Sequence, residues 1–235
     1  MSFNLKELEQ LYAKARQVPE EYQFVNKYTY ALYNGILDGR YMDINDVFNN
    51  ESVLTGYISK HNAILLFPSY IDNILVSLFI RPVTGNISPL KLGLPVLMYG
   101  LGNLDENFKY GSKLYIVEGI GDYLALKLIE PSINVVAILS NTVSLNSIEL
   151  ISNLTNNVVL VTDGDEAGDI GYRVASSKFK KLGVNVSRIK PYGKHKDVGE
   201  VLDCIVEYKK TGDLSIKEKI NEQVSYYKTA IYIGS

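Results

Sequence analysis

From residue 113 onward, apolar positions fall into short unbroken runs separated by stretches of helical period. "KLYIV" (113–117), "INVVAIL" (133–139), "NVVLVT" (157–162) and "VNVSRI" (184–189) are rich in β-branched residues and flanked by turn formers. Each predicts a strand. The spacing between them predicts helices over about 121–130, 144–154, 166–182 and 198–209, with Ser144 as an N-cap and Gly183 as a stop. Strands that do not alternate, linked by helices, predict a parallel sheet covered on both faces.

The first half has a different pattern. A helical start over about 4–16 precedes a mixed polar stretch. Then comes "NAILLFPSYIDNILVSLFIRP", two apolar runs around Pro, Asp and Asn that predict a β-hairpin. Residues 82–112 hold three Pro and five Gly among apolar residues and read as an irregular connector. The pattern divides the chain into an α+β N-terminal subdomain over 1–110, an α/β domain over 111–209, and an extension over 210–235. The extension, polar and then rich in Tyr, is expected to form a short helix or strand.

In an open parallel sheet, ligands gather beyond the carboxyl ends of the strands. Glu118 follows the first run, Asp163 and Asp165 follow the third, and Asp197 comes shortly after the fourth. Acids distant in sequence therefore share one expected rim. "VTDGDEAGDI" places four acids within seven residues there, and charges so crowded either sit in water or hold something positive.

Composition narrows the chemistry. One cysteine (Cys204) and two histidines (His61, His195) in 235 residues exclude a disulfide frame, a zinc ribbon and a Cys-His nucleophile pair, so a bound metal would take oxygen ligands. A net charge of -2 and a pI near 5.8 exclude bulk-charge coating of polyanions. The acid-free stretch from Ile170 to Lys196 nevertheless holds eight basic residues, of which Lys194 and Lys196, beside Asp197, are candidates for phosphate contact. No phosphate-binding G-x-x-x-x-G-K-[ST] loop or G-x-S-x-G elbow occurs, and the G-x-G pairs lack a third glycine. No apolar stretch has signal or membrane-span length, which predicts a cytoplasmic protein.

Each acidic motif has a plain alternative. Gly119 can make a tight turn with Asp122 capping the next helix, Asp165 and Glu166 can face the positive end of a helix, and Asp197 can cap another. The ordered set E-G-x-x-D, D-x-D-x-A-G and K-D-x-x-E, each at a strand exit, resembles the Toprim domain. That domain is shared by bacterial-type DNA primases, type IA and II topoisomerases and some small nucleases. The resemblance covers roughly residues 112–205 and is nearest to the catalytic core of phage-like primases. Upstream, Phe67-Pro68, Arg81, Lys91 and Tyr99-Gly100-Leu101 are similar to primase motifs.

The resemblance implies a Rossmann-like parallel sheet with flanking helices, preceded by the α+β subdomain. It implies Glu118 and Asp122 in catalysis, Glu118, Asp163, Asp165 and Asp197 as ligands of Mg²⁺ or Mn²⁺, and Arg81, Lys91, Lys194 and Lys196 against nucleic acid or nucleotide. The implied activity is DNA-directed RNA primer synthesis in the replication of a bacterial or phage-infected cell, with single-stranded DNA and ribonucleoside triphosphates as substrates. Alternatives are a metal-dependent Toprim nuclease and a degenerate primase-like scaffold that binds nucleic acid. Ile64 stands where the family has Arg, Gly199 where it has a second acid, and Asn141 where it has Gly. A zinc-binding template reader and a replicative helicase would be separate partners.

Overall fold

The computed structural model describes residues 4–43, 63–84, 90–94, 98–140 and 142–233. His61 and Asn141 lie outside them. The chain forms two compact units, Met1–Val96 and Leu97–Ser235.

In the first unit, α1 (Leu5–Lys14) opens on a capping box. The Asn4 side chain accepts from the Glu7 amide, and the Glu7 carboxylate accepts from the Asn4 amide. An antiparallel sheet runs in the order β1 (Arg40–Asp43), β2 (Ala63–Ile71), β3 (Ile74–Pro82), β4 (Leu90–Gly93). The expected hairpin is β2–β3. Its turn is Asp72-Asn73, with φ of 48° and 63°, the left-handed pair that matches strand twist. Pro68 is not in that turn. It lies inside β2 opposite Leu78, beyond the end of β1, where among the described residues one edge of β2 has no partner strand and a missing N–H is tolerated.

Period 2 sorts the two faces of this sheet. Ile64, Leu66, Leu78, Ile80 and Leu92 pack with Leu8, Leu11 and Tyr12 of α1. Each such buried aliphatic side chain contributes about 1.5–3 kcal/mol. On the opposite face Phe67 meets Tyr28 of α2 (Lys27–Tyr33), ring edge against ring face.

The second unit holds the α/β part, but it starts at Leu97 where 111 was expected, and it includes the extension. Strands β5 (Leu114–Val117), β6 (Val135–Ala137), β7 (Asn157–Val161) and β8 (Asn185–Ile189) form a wholly parallel sheet in the order β6-β5-β7-β8. Helices α3 (Ile120–Ile129), α4 (Leu145–Leu154), α5 (Glu166–Lys181) and α6 (Glu200–Thr211) follow the strands. Ser144 caps α4 by accepting from the Ser147 amide, and Gly183 follows α5 at φ 76°. Leu114, Ile116, Val158 and Leu160 bury one face of the sheet against Ile148 and Ile151 of α4 and Ala175 and Phe179 of α5.

The extension differs from expectation in length. Residues Leu214–Ile233 form one helix, α7, of 20 residues. Its apolar face is sparse, with Ile216, Gln223, Tyr227 and Ile231 buried at intervals of seven, four and four, so the period is hard to see among polar neighbours. Hydroxyls supply much of the attachment. Tyr115 donates to the Ile231 carbonyl, Tyr226 to the Lys190 carbonyl and Tyr232 to Glu130, while the Tyr192 amide donates to the Tyr227 oxygen. The tyrosine-rich composition thus serves in part to moor a helix that apolar burial alone holds weakly.

Candidate active site

A sheet in the order β6-β5-β7-β8 sends its first crossover one way from β5 and its next across β5 to the other side. This creates a switch point between the carboxyl ends of β5 and β7, where the chain leaves a crevice. Glu118 follows β5 there, and Asp163 and Asp165 follow β7. The structure brings these elements together directly, since the Asp163 amide lies 3.5 Å from Oε1 of Glu118. β6 ends at the same place because Leu139 adopts φ 56° and donates its N–H to the Glu118 carbonyl, which explains why the strand is shorter than the apolar run.

Asp197 is carried in by the loop between β8 and α6. The Gly164 amide donates to the Lys196 carbonyl at 2.7 Å, tying that loop to the Asp163-Gly164-Asp165 turn. A side chain at position 164 would put its Cβ 2.9 Å from the His195 carbonyl oxygen, so only glycine lets the two loops approach this closely. Glu200 fixes the loop from the other side, accepting from the Lys196 amide and contacting Nδ1 of His195 at 2.5 Å.

The plain alternative holds for two of the acids, with one carboxylate oxygen of each left over. Asp165 caps α5 with Oδ1, accepting from the Gly168 amide, and Asp197 accepts from the Glu200 amide with Oδ1. The Oδ2 atoms of both take no hydrogen bond among the described residues. Asp122 is more fully engaged, with Oδ2 accepting from the Gly119 amide and Oδ1 from the Gly199 amide, so it clamps the start of α3 to the start of α6. Gly199, where a second acid was expected, is held by that clamp. A Cβ there would stand 3.0 Å from Oδ1 of Asp197.

The electrostatics are those of crowded anions. Burial raises the Glu118 carboxyl above its ordinary range, and the charges of Asp163 and Asp165 add to it, against a hydrogen bond from the Asp163 amide and the Lys196 charge. Burial likewise raises Asp163, with the Asp197 and Asp165 charges adding and Lys196 opposing. Lys196, with Nζ 3.5 Å from Oδ2 of Asp163, is raised chiefly by that acid. The four carboxylates therefore share one electrostatic neighbourhood, into which, among the described residues, the exposed Lys196 reaches. Among the described residues, no three acid, imidazole or thiol groups stand close enough as placed to hold an ion. The donor set is all oxygen and repels itself, which suits a hard divalent cation after side-chain rotation.

Of the basic candidates, Lys194 and Lys196 lie on the Asp197 loop. Arg81 and Lys91 belong to the first unit, on one face of its sheet, since Lys91 pairs with Phe79 two residues before Arg81. Arg81 lies over the Tyr28 ring at 4.4 Å and Lys91 over the Phe79 ring at 5.3 Å, and burial lowers the Lys91 pKa.

Arg188 was not singled out from the sequence. From β8 it donates to Oγ1 of Thr162 at 2.9 Å and to the Asp163 carbonyl, pairs with Asp169 at 2.6 Å and lies over the Tyr172 ring. Its side chain is 12% exposed, so it is an internal brace for the turn that presents Asp163 and no part of a phosphate-binding face. The available signal was its place in a strand one register from the carboxyl end of β7, opposite Leu160. Arg188→Ala should lower stability by about 1 kcal/mol, because it removes hydrogen bonds to the part-buried Thr162 hydroxyl and Asp163 carbonyl. Arg188→Lys should recover part of this, and chemical denaturation of both variants checks it.

Residues 115–202 match the family described as Toprim-like. Among solved structures, a DnaG catalytic core aligns with a TM-score of 0.57 at 16% identity, over 95% of this chain and 82% of that one. A DnaG primase catalytic domain bound to ssDNA also aligns at 0.57 with 17% identity, over 93% and 79%. The fold is thus a mixed α/β Toprim fold similar to primase catalytic cores. No curated protein matches the chain. Among the described residues, no helix is long and apolar enough to cross a membrane.

Proposed function

We propose that this chain makes RNA primers on single-stranded DNA by divalent-cation-dependent nucleotidyl transfer at the β5/β7 rim. What supports this reading is that a Toprim fold carries Glu118, Asp163, Asp165 and Asp197 on adjoining loops at the β5/β7 switch point, where their charges act on one another. The likeness to primase cores over 95% of the chain supports it over a nuclease, because it extends through the first unit as well as the rim.

Glu118, Asp163, Asp165 and Asp197 would hold the cations. Bound there, Mg²⁺ or Mn²⁺ supplies charge neutralisation for the triphosphate and acidifies the attacking 3′-hydroxyl. Glu118 would serve either as a cation ligand or, where it is not coordinated, as the acceptor of that proton. Asp122 orients it from behind by fixing Gly119, the residue after Glu118. Lys194, Lys196, Arg81 and Lys91 offer cationic groups for template and nucleotide phosphates. A zinc-binding template reader and a replicative helicase are the proposed partners.

The test is incubation with single-stranded DNA, labelled ribonucleotides and Mn²⁺. New short RNA is the expected product. Shortened DNA would assign the same carboxylates to a nuclease, and binding without either product would leave a scaffold.

A further inference from the structure

Next to the rim lies a row of aromatic rings that the proposed chemistry leaves unused. His195 and Tyr192 stack with centroids 6.3 Å apart and planes 19° apart, and Tyr192 meets Tyr226 of α7 at 5.3 Å. All three are partly exposed, whereas Tyr227 beneath them is fully buried and fixes the Tyr192 backbone through its hydroxyl. The hydroxyls of Tyr192 and Tyr226 are taken up by Glu222 and by the Lys190 carbonyl, so what the row offers outward is ring surface. Lysines flank it. Among the described residues, Lys190 pairs with Asp169 and Lys196 with Asp163, their side chains 57% and 62% exposed, while Lys194 is exposed with no acid in ion-pair range.

We infer that Tyr192, His195 and Tyr226 form a stacking platform that holds a single-stranded nucleic acid beside the carboxylate rim, with the lysines on its backbone. Rings on rigid supports flanked by cations are what a strand of unpaired bases needs, since every base has a π face and every nucleotide a phosphate. A protein groove would instead present an apolar floor, and here Glu222 and the lysines border the rings. The platform is continuous with the site, because Lys196 belongs to both and the Gly164 amide binds its carbonyl. It also gives α7 a role beyond packing, as the support for one of the rings. The inference rests on the proposed polymerase reading for its direction, and binding tests it separately from synthesis.

The experiment is anisotropy of a labelled oligo(dT) of about 20 nucleotides titrated with the full chain over a salt series, without nucleotide or metal. Tyr192→Leu and Tyr226→Leu should each weaken binding about ten-fold with the salt slope unchanged, while Tyr192→Phe and Tyr226→Phe, which keep the ring, should bind as wild type. Lys194→Ala should reduce the slope by about 0.7. Melting curves establish that the leucine variants are folded. Wild-type affinity in folded leucine variants overturns the platform, as does a loss in both the Phe and Leu variants, which would trace to the hydroxyls. Capture of a protein partner by these rings, with no oligonucleotide bound by wild type, also overturns it. Ring-dependent binding with no RNA synthesis would uphold the platform and refute the polymerase.

Discussion

Replacing Asp163 by Asn is expected to abolish primer synthesis while making the metal-free protein slightly more stable. The two effects have one cause. In the folded state Asp163 is partly buried and faces Asp197 and Asp165, and the nearby Lys196 does not fully compensate, so its carboxyl is raised. A raised carboxyl binds its proton more tightly folded than unfolded. The stability it confers is therefore present below about pH 4 and is lost as pH rises through the higher folded-state value. At neutral pH its ionised form is a net burden, and the neutral isostere removes it.

A gain on the order of 1 kcal/mol would raise the melting temperature by roughly 2–4 °C. Activity should fall about a thousand-fold or more, because a cation at a reacting phosphate contributes several kcal/mol and each 1.36 kcal/mol is ten-fold in rate. The wild type should gain about 2.7 kcal/mol from Mn²⁺ at a hundred times its dissociation constant, and Asp163→Asn much less. Melting curves at pH 7 with and without Mn²⁺, beside a primer assay, check all three. Retained synthesis within ten-fold of wild type would remove Asp163 from the chemistry.

What the sequence made legible, and what it hid, follows from the range of each interaction. Strands β5 to β8 and helices α3 to α6 were visible because their apolar periods and caps, such as Ser144, are local. Their gathering at one rim was visible because the topology rule for parallel sheets converts chain position into place. The length of α7 was not, since its buried face is only Ile216, Gln223, Tyr227 and Ile231 and its mooring is by hydroxyls to residues as far away as Tyr115. The brace from Arg188 to Thr162 and Asp169 was equally hidden, because a basic residue in a run of eight looks like surface charge until its neighbours are known. Asp122 stands between the two cases. Its hold on the Gly119 amide is the local cap that the sequence offered, while its hold on the Gly199 amide, 77 residues away, was not legible.

Gly168→Ala should be among the most destabilising single-methyl changes in this chain, against the expectation from helix propensity. Gly168 lies in the first turn of α5, where Ala would ordinarily gain about 1 kcal/mol over Gly. A Cβ at this position would stand 2.3 Å from the Asp163 carbonyl oxygen and 2.9 Å from the Asp163 carbonyl carbon. Both are main-chain atoms that cannot swing aside. Relief requires moving α5 away from the end of β7 by about 1 Å, and such overpacking costs about 1–3 kcal/mol or more, which reverses the sign of the propensity gain. The move also disturbs the bond from the Gly168 amide to Asp165 and the brace from Arg188 to the Asp163 carbonyl. We expect a net loss of about 2–3 kcal/mol, a melting temperature lower by roughly 4–12 °C, and Mn²⁺ stabilisation largely gone because Asp163 and Asp165 are displaced together. The exposed neighbouring change Ala167→Gly should cost only about 1 kcal/mol and leave the Mn²⁺ response intact. If Gly168→Ala melts at or above wild type, the close approach of α5 to the Asp163 main chain is wrong, and with it the placement of the two carboxylates on one turn.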